Sequence, residues 1–455
     1  MSAPLWTSQA IAAATGGTAH GDFAACGVAF DSREVRPGDL FVALKGASTD
    51  GHRFAGQALA AGAAGVLASA AVEGPHVRVA DTQAGLEALG RAARERAGAA
   101  TRVAITGSVG KTSVRAALAA CLAAAGAGPV HASVKSYNNA TGVPLSLARM
   151  PAGSRWAVFE IGMNHRGEIA PLAAQVAPHV AAITRVGTAH IEHLGSEAAI
   201  AAEKADIFSG LVAGGVAVVP LDGAHRDRLL GAAQARAGRV VTFGLAGDAQ
   251  VRAQDLAEDG TGSRFIADVG GRRLAVHLPR PGRHLVTNAL CVLACVEAAG
   301  GDVAAAAHTL GTLQAEPGRG RLLALPGGAT LLDEAYNANP DSVAAALAML
   351  ASLPCSGRRL VVLGAMRELG AHAPAAHAAL APRIRAAGVA RLALVGKETE
   401  PLRDAMPDAE LLADAAAALA WVRRELRAGD LLLVKGSNSV GLMGLVAALA
   451  GGDAT

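Results

Sequence analysis

Short apolar runs alternate with alanine-rich helical segments along nearly the whole chain. The runs fall at 102–106, 157–162, 180–186, 215–220, 329–333, 359–364, 391–396 and 430–435. Each ends in a polar or glycine-rich turn, which reads as a buried strand with its turn at the carboxyl end. The alternation of such runs with helices predicts an α/β chain built mostly on parallel sheets. In open sheets of this kind, ligands collect outside the carboxyl ends of the strands. No fixed-period repeat is present. Alanine runs such as 413–420 are helix formers, not linkers.

The first eighty residues have a different texture. A turn-rich stretch, 31–39, precedes a strand-like run, 40–44. A second change of texture falls near 314–318, just after a helical stretch. Three blocks follow: 1–82, 83–313 and 314–455. A length of 455 residues also predicts about three domains.

Composition narrows the function classes. Hydrophobic residues make up 52% and charged residues 17%, so the chain can bury enough surface to fold throughout. Aromatics are only 3%, and the net charge is +3. Both argue against a nucleic-acid binder that stacks bases or neutralises phosphates. The first basic residue is Arg33, so no charged leader precedes an apolar core. The uncharged stretch 54–72 contains Gly56, Gln57, Gly62, Gly65 and Ser69. It reads as helix, turn and a short strand at 65–68, and not as a membrane span. The five cysteines make no zinc pattern and read as reduced thiols, which fits a cytoplasmic protein without membrane insertion.

The strongest chemical signal is 103–113, Val-Ala-Ile-Thr-Gly-Ser-Val-Gly-Lys-Thr-Ser. A strand enters a glycine-rich turn and a helix leaves it at 111–126. Backbone N–H groups of such a turn, with the helix N-terminus behind them, bind phosphate oxygens. Gly107, Ser108, Val109, Gly110 and Ser113 form the cradle. Lys111 reaches the outer phosphates and Thr112 offers a hydroxyl to Mg²⁺. Ile105 stands where the strict pattern has glycine, so the loop is a variant.

Two further strand ends add donors. Glu160 closes the run 157–160, where an unpaired carboxylate is costly unless it meets a cation. The next run leads into His190 and His193. No thiolate or third histidine follows at zinc spacing, so His190 reads as a candidate ligand for a second ion or as a satisfied polar residue, and His193 as an ordinary polar residue. By pattern alone Lys204 is a surface lysine on the following helix.

Taken together, these segments resemble the Mur ligase family. The loop 106–113, the strand end Phe159–Ile169, the His190 and Glu203-Lys204-Ala205 segments, and 332–342 match its motifs in order. The resemblance implies three domains: an N-terminal α/β domain that binds UDP (1–82), a central P-loop ATPase-like domain (83–313), and a C-terminal Rossmann-like domain that receives an incoming dipeptide (314–455). It implies an ATP-dependent amide ligase that forms an acyl phosphate. The expected substrates are UDP-N-acetylmuramoyl-tripeptide and D-alanyl-D-alanine, handled by a monomer with ATP and two Mg²⁺ ions. Lys111, Glu160, His190 and Lys204 become the catalytic set. Thr112, Glu160, His190 and a carbamylated Lys204 become the metal set. Asn288, Arg319 and Asp333 correspond to further ATP contacts, although Leu285 follows His284 where the family more often has asparagine. Ser32, Arg33, Lys45, Asp50 and His52 correspond to the uridine-side segments. Asn138, Asn139, Tyr336, Asn337 and Asn339 correspond to substrate contacts, and Lys435 stands near the incoming dipeptide.

Two neighbouring activities share this chemistry. Ligases adding diaminopimelate or lysine carry an arginine after Asn-Pro, whereas Asp341 follows Asn339-Pro340 here. Folylpolyglutamate synthase lacks a separate uridine-binding domain, which residues 1–82 resemble. A silent nucleotide-binding partner would have lost Lys111, Glu160, His190 or Lys204, and all four are present.

Overall fold

The computed structural model describes residues 4–46, 49–126 and 128–451. Three sheets organise these residues, each with helices on both faces. The first runs in the order Thr18–His20, His76–Arg78, Gly65–Ala68, Asp39–Val42, Gly27–Ala29, and only Thr18–His20 is antiparallel to its neighbour. The short ribbon of Trp6–Thr7 and Ala24–Ala25 stands apart from it.

The central sheet has nine strands. Seven are parallel: Val130–Ala132, Trp156–Glu160, Thr101–Thr106, Val180–Ile183, Val216–Pro220, Arg239–Gly244 and Val251–Asp259. Its strands bury alternate residues on opposite faces, as the two-residue period of a strand demands. Val103, Ile105 and Val158 join one core, while Ala104, Ala157 and Phe159 join the other. Full burial of a valine, isoleucine or phenylalanine side chain stabilises the fold by about 1.5–3 kcal/mol.

Chain order fixes where the site lies. After Thr101–Thr106, the chain forms the edge strand Val130–Ala132, returns to insert Trp156–Glu160 between the two, then crosses to add Val180–Ile183 on the other side of Thr101–Thr106. The carboxyl ends of these three strands therefore open around one crevice, the switch point where ligands bind in such sheets.

The third sheet orders Arg321–Ala324, Thr330–Glu334, Leu431–Lys435, Arg359–Gly364, Val389–Val395 and Glu410–Leu412, parallel except for its first pair. Most of the expected runs lie within a residue or two of a strand, although 180–186 ends as a strand at Ile183, and the parallel strands Val130–Ala132, Arg239–Gly244 and Glu410–Leu412 had no expected run. The antiparallel pairing of Val251–Asp259, Gly262–Val269 and Arg272–Leu278 departs from the parallel reading. These strands alternate buried and exposed residues and carry many charges, so they make no continuous apolar run. Among the described residues, no helix is long and apolar enough to cross a membrane.

Candidate active site

The loop after strand Thr101–Thr106 turns through Gly110, whose φ is +85°, into helix Lys111–Ala124. No side chain caps this helix, so its first N–H groups face the cavity as free donors. A Cβ at Gly110 would lie 2.7 Å from Asn288 Oδ1, so helix Arg283–Ala298 closes directly onto the turn. Ser108 pins the loop to the neighbouring strand end. Its N–H donates to the Arg185 carbonyl at 2.7 Å, and its hydroxyl exchanges hydrogen bonds with the Gly187 backbone. Lys111 Nζ folds back and donates to the Gly107 carbonyl at 2.6 Å. Burial lowers its pKa, Glu160 and Glu368 oppose that shift, and Arg319 adds to it.

Glu160 is 1% exposed at the end of its strand. Its Oε1 accepts from Asn138 Nδ2 at 2.7 Å, and its Oε2 is buried with no hydrogen-bond partner. An unsatisfied buried carboxylate oxygen beside an anion loop and the buried Thr112 hydroxyl fits a cation site. Among the described residues, no three His, Cys, Asp or Glu side chains gather as a metal cluster. A cation here would draw its remaining oxygens from phosphate and water, the habit of Mg²⁺.

His190 begins the short helix Ile191–Leu194 in a left-handed conformation, φ +65°. Its Nδ1 lies 2.7 Å from Glu368 Oε2, which reaches across from the third sheet's side. Lys204, on helix Glu197–Ala205, is 1% exposed, so the surface-lysine reading of its pattern is wrong. Burial first, then the charge of Lys111, pushes its pKa well down. Its neighbour Glu203 accepts from Gly167 N at 2.7 Å and Ile169 N at 3.0 Å, holding the loop that follows Glu160.

The third sheet supplies the opposite wall of a cavity of about 770 Å³. Lys111, Asn138, Glu160, His190, Asn288 and Arg319 line it from the central side and the connection. Asn139 lines it too, although its Oδ1 is engaged by Gly142 N at 2.9 Å. The Arg319 guanidinium lies 4.1 Å from the centre of the Tyr336 ring, and the Tyr336 hydroxyl donates to Ser136 at 2.6 Å. Asn337 and Asn339 line the wall, but both side chains serve the backbone. Asn337 Oδ1 accepts from Ala338 N, and Asn339 caps helix Pro340–Ser352 in a capping box with Ser342. Lys435, 1% exposed, donates to Glu334 Oε2 at 3.1 Å and the Asn337 carbonyl at 3.0 Å.

The structure does not bring Asp333 to this cavity. Its carboxylate is fully buried and accepts from Gly318 N at 2.7 Å and Ala335 N at 3.3 Å. It shapes the connection that carries Arg319 instead of facing it.

Ser32, Arg33, Lys45, Asp50 and His52 also lie outside the cavity, on the first sheet's loops. Arg33 pairs with Asp31 at 2.6 Å. Asp50 accepts from His52 Nδ1 at 2.6 Å, while His52 Nε2 accepts from Ser69 N at 2.9 Å. Lys45 bridges Asp50 through the backbone. Glu34 ties this edge to the central unit by accepting from Lys135 and from the Tyr137 hydroxyl.

Sequence reasoning missed Arg115, Glu203 and Glu368. Arg115 recurs one helical turn after Lys111, and Glu203 adjoins Lys204, so both left a local signal. Glu368 left none, because only domain packing brings it to His190.

Three family models cover most of the chain. A Mur ligase middle domain matches residues 105–296, and a Mur ligase, glutamate ligase domain matches 303–438. A Mur ligase family, catalytic domain matches 26–97. The UDP-N-acetylmuramoyl-tripeptide–D-alanyl-D-alanine ligase of Escherichia coli (strain K12) is 36% identical, with 93% of each chain aligned. The crystal structure of MurF from Acinetobacter baumannii matches with a TM-score of 0.86 at 28% identity, over 98% of both chains. MurF ligase from Thermotoga maritima, in complex with ADP, matches with a TM-score of 0.78 at 26% identity, over 93% of this chain and 96% of that one.

Proposed function

The chain belongs to the Mur ligase family, and from that premise we infer that it joins D-alanyl-D-alanine to the terminal carboxylate of UDP-N-acetylmuramoyl-tripeptide at the expense of ATP. It is an ATP-dependent ligase of peptidoglycan precursor synthesis. The observation that carries the local reading is the single cavity in which the anion loop and Glu160 face Tyr336 and Asn339 of the third sheet. A nucleotide and two further reactants can meet there.

The substrate carboxylate attacks the γ-phosphorus, ADP leaves, and an acyl phosphate forms. The dipeptide amine then adds to the acyl carbon. The tetrahedral intermediate expels phosphate and leaves the amide. A carboxylate approaching a triphosphate is repelled, so the site works mainly by placing cations and N–H donors around the transferring group. Lys111 and the free N–H groups of the 107–113 loop hold the phosphates, and Arg319 covers them from the connection. Asn288 borders the nucleotide side. Thr112, Glu160, His190 and Lys204 would hold two Mg²⁺ ions, which supply charge screening when bound. A buried amine with a lowered pKa is the form that adds CO₂, which supports a carbamylated Lys204.

We assign residues 1–82 to UDP, 83–313 to ATP and 314–455 to the dipeptide, in a monomeric cytoplasmic protein. Ser32, Arg33, Lys45, Asp50 and His52 serve the uridine end, and Asn138, Asn139, Tyr336, Asn337 and Asn339 the peptide end. Asp341 favours a dipeptide over diaminopimelate. It lines the cavity where the diaminopimelate- or lysine-adding ligases carry an arginine, so the guanidinium that would pair a side-chain carboxylate is absent.

The test is an assay of ADP release with paired substrates. Turnover is expected only with UDP-N-acetylmuramoyl-tripeptide and D-alanyl-D-alanine together. Faster turnover with the UDP-dipeptide and diaminopimelate would overturn the assignment.

A further inference from the structure

We propose that Arg115 is a positioning residue that couples Glu160 to the connection between the central and third sheets. The inference rests on the reading of Glu160 as a magnesium ligand. Arg115 lies on helix Lys111–Ala124, three residues after Thr112, and is 7% exposed. Its guanidinium spans three acceptors. One amino group donates to the Ser133 carbonyl, and the other donates to Glu316 Oε1 at 3.3 Å. Its Nε faces Glu160 Oε2 at 3.8 Å.

That last contact is the informative one. Both atoms are buried, both lack a hydrogen-bond partner, and they stand just too far apart to bond each other. Two buried, complementary and unsatisfied groups cost stability, a cost that a partner taken up in another state of the molecule would offset. A small advance of either side chain would make the bond. A cation taken up by Oε2 would make it unnecessary.

Glu316 is the other end of the link. It lies between helix Val303–Leu310 and strand Arg321–Ala324, in the segment that joins the two sheets. Its carbonyl accepts from Arg319 N at 3.1 Å, and its carboxylate stands 4.0 Å from Arg319 Nε. A chain of charges thus runs from Glu160 through Arg115 and Glu316 to Arg319, whose guanidinium covers Tyr336. The planar, forked guanidinium suits this task because its donors are fixed relative to one another. Metal uptake at Glu160 then alters the pull of Arg115 on the connection, and the angle of the connection alters the aim of Glu160.

The test compares Arg115→Met, Arg115→Lys, Glu316→Gln and Glu160→Gln with the unaltered full-length chain. ADP binding is measured calorimetrically with Mg²⁺ and with chelator, and nucleotide-induced compaction by small-angle X-ray scattering. Arg115→Met is expected to weaken Mg²⁺-dependent ADP binding about tenfold or more, the range typical of partners of metal ligands. Its binding in chelator stays unchanged, and Arg115→Lys recovers part of the loss. Glu316→Gln is expected to bind Mg²⁺–ADP normally yet compact less. Should Arg115→Met not fold, Glu316→Gln decides: unchanged compaction overturns the coupling. Wild-type binding and compaction in Arg115→Met overturn it as well. A normal Mg²⁺ dependence in Glu160→Gln instead overturns the reading of Glu160 beneath it.

Discussion

At the scale of single residues, burial decides chemistry. Lys204 has the sequence context of a solvated lysine, yet its side chain is withdrawn from water beside Lys111. Removing a cation from water favours the neutral amine, and a second nearby cation favours it further. Lys204→Ala is expected to abolish ligation while leaving ADP binding measurable. Short-chain carboxylic acids are expected to restore part of the rate by standing in for the carbamate proposed on Lys204. Unchanged turnover in this variant would remove the carbamate from the mechanism. Gly110 makes the complementary point. A side chain there would need the left-handed region and would strike Asn288, so the loop tolerates only glycine at that turn.

Whole elements show where stability depends on pH. The short edge strand Val130–Ala132 pairs only with Trp156–Glu160 and borders the site through Ser133. His131, at its middle, donates Nε2–H to the Ser146 carbonyl at 2.8 Å and leans against Phe159. Burial pushes its pKa down from 6.5 to about 4. Between those values the unfolded chain binds the extra proton and the folded chain does not. Stability therefore falls as the pH drops from about 6.5 to 4, and is regained above that window. His131→Gln should flatten this part of the pH profile in denaturant melts. An unchanged slope would locate the acid sensitivity elsewhere. The helices behave differently according to their caps. Helix Pro340–Ser352 is closed by Asn339, whereas helix Lys111–Ala124 is left open for an anion.

For the whole molecule, the question is how the third sheet meets the central one. Besides the connection itself, the contact at His190 stands out. Glu368 holds His190 at 2.7 Å, and both residues adopt left-handed backbones, φ +63° and +65°. The Glu368 side chain is about half exposed, so the pair contributes at most about 1 kcal/mol to docking. Glu368→Ala is expected to raise the undocked population by up to about fivefold. The readout is the rate of limited trypsin cleavage at Arg319 in the connection. A rate equal to that of the unaltered chain would show that this pair does not hold the domains together.

The local pattern by itself determined a great deal. Continuous apolar runs can be stable only when covered on both faces, which made the parallel strands and their carboxyl-end turns legible. The glycine-rich turn before Lys111 and the carboxylate ending strand Trp156–Glu160 declared themselves for the same local reasons. The alternating, charged strands of 251–278 were harder to read because half their residues face water. What only the tertiary structure decided was environment across distance. Lys204 became buried, Asp333 turned inward to Gly318, and Glu368 reached His190 from about 180 positions away. Desolvation and pairing depend on what the rest of the chain packs against a side chain, and no local spacing records that.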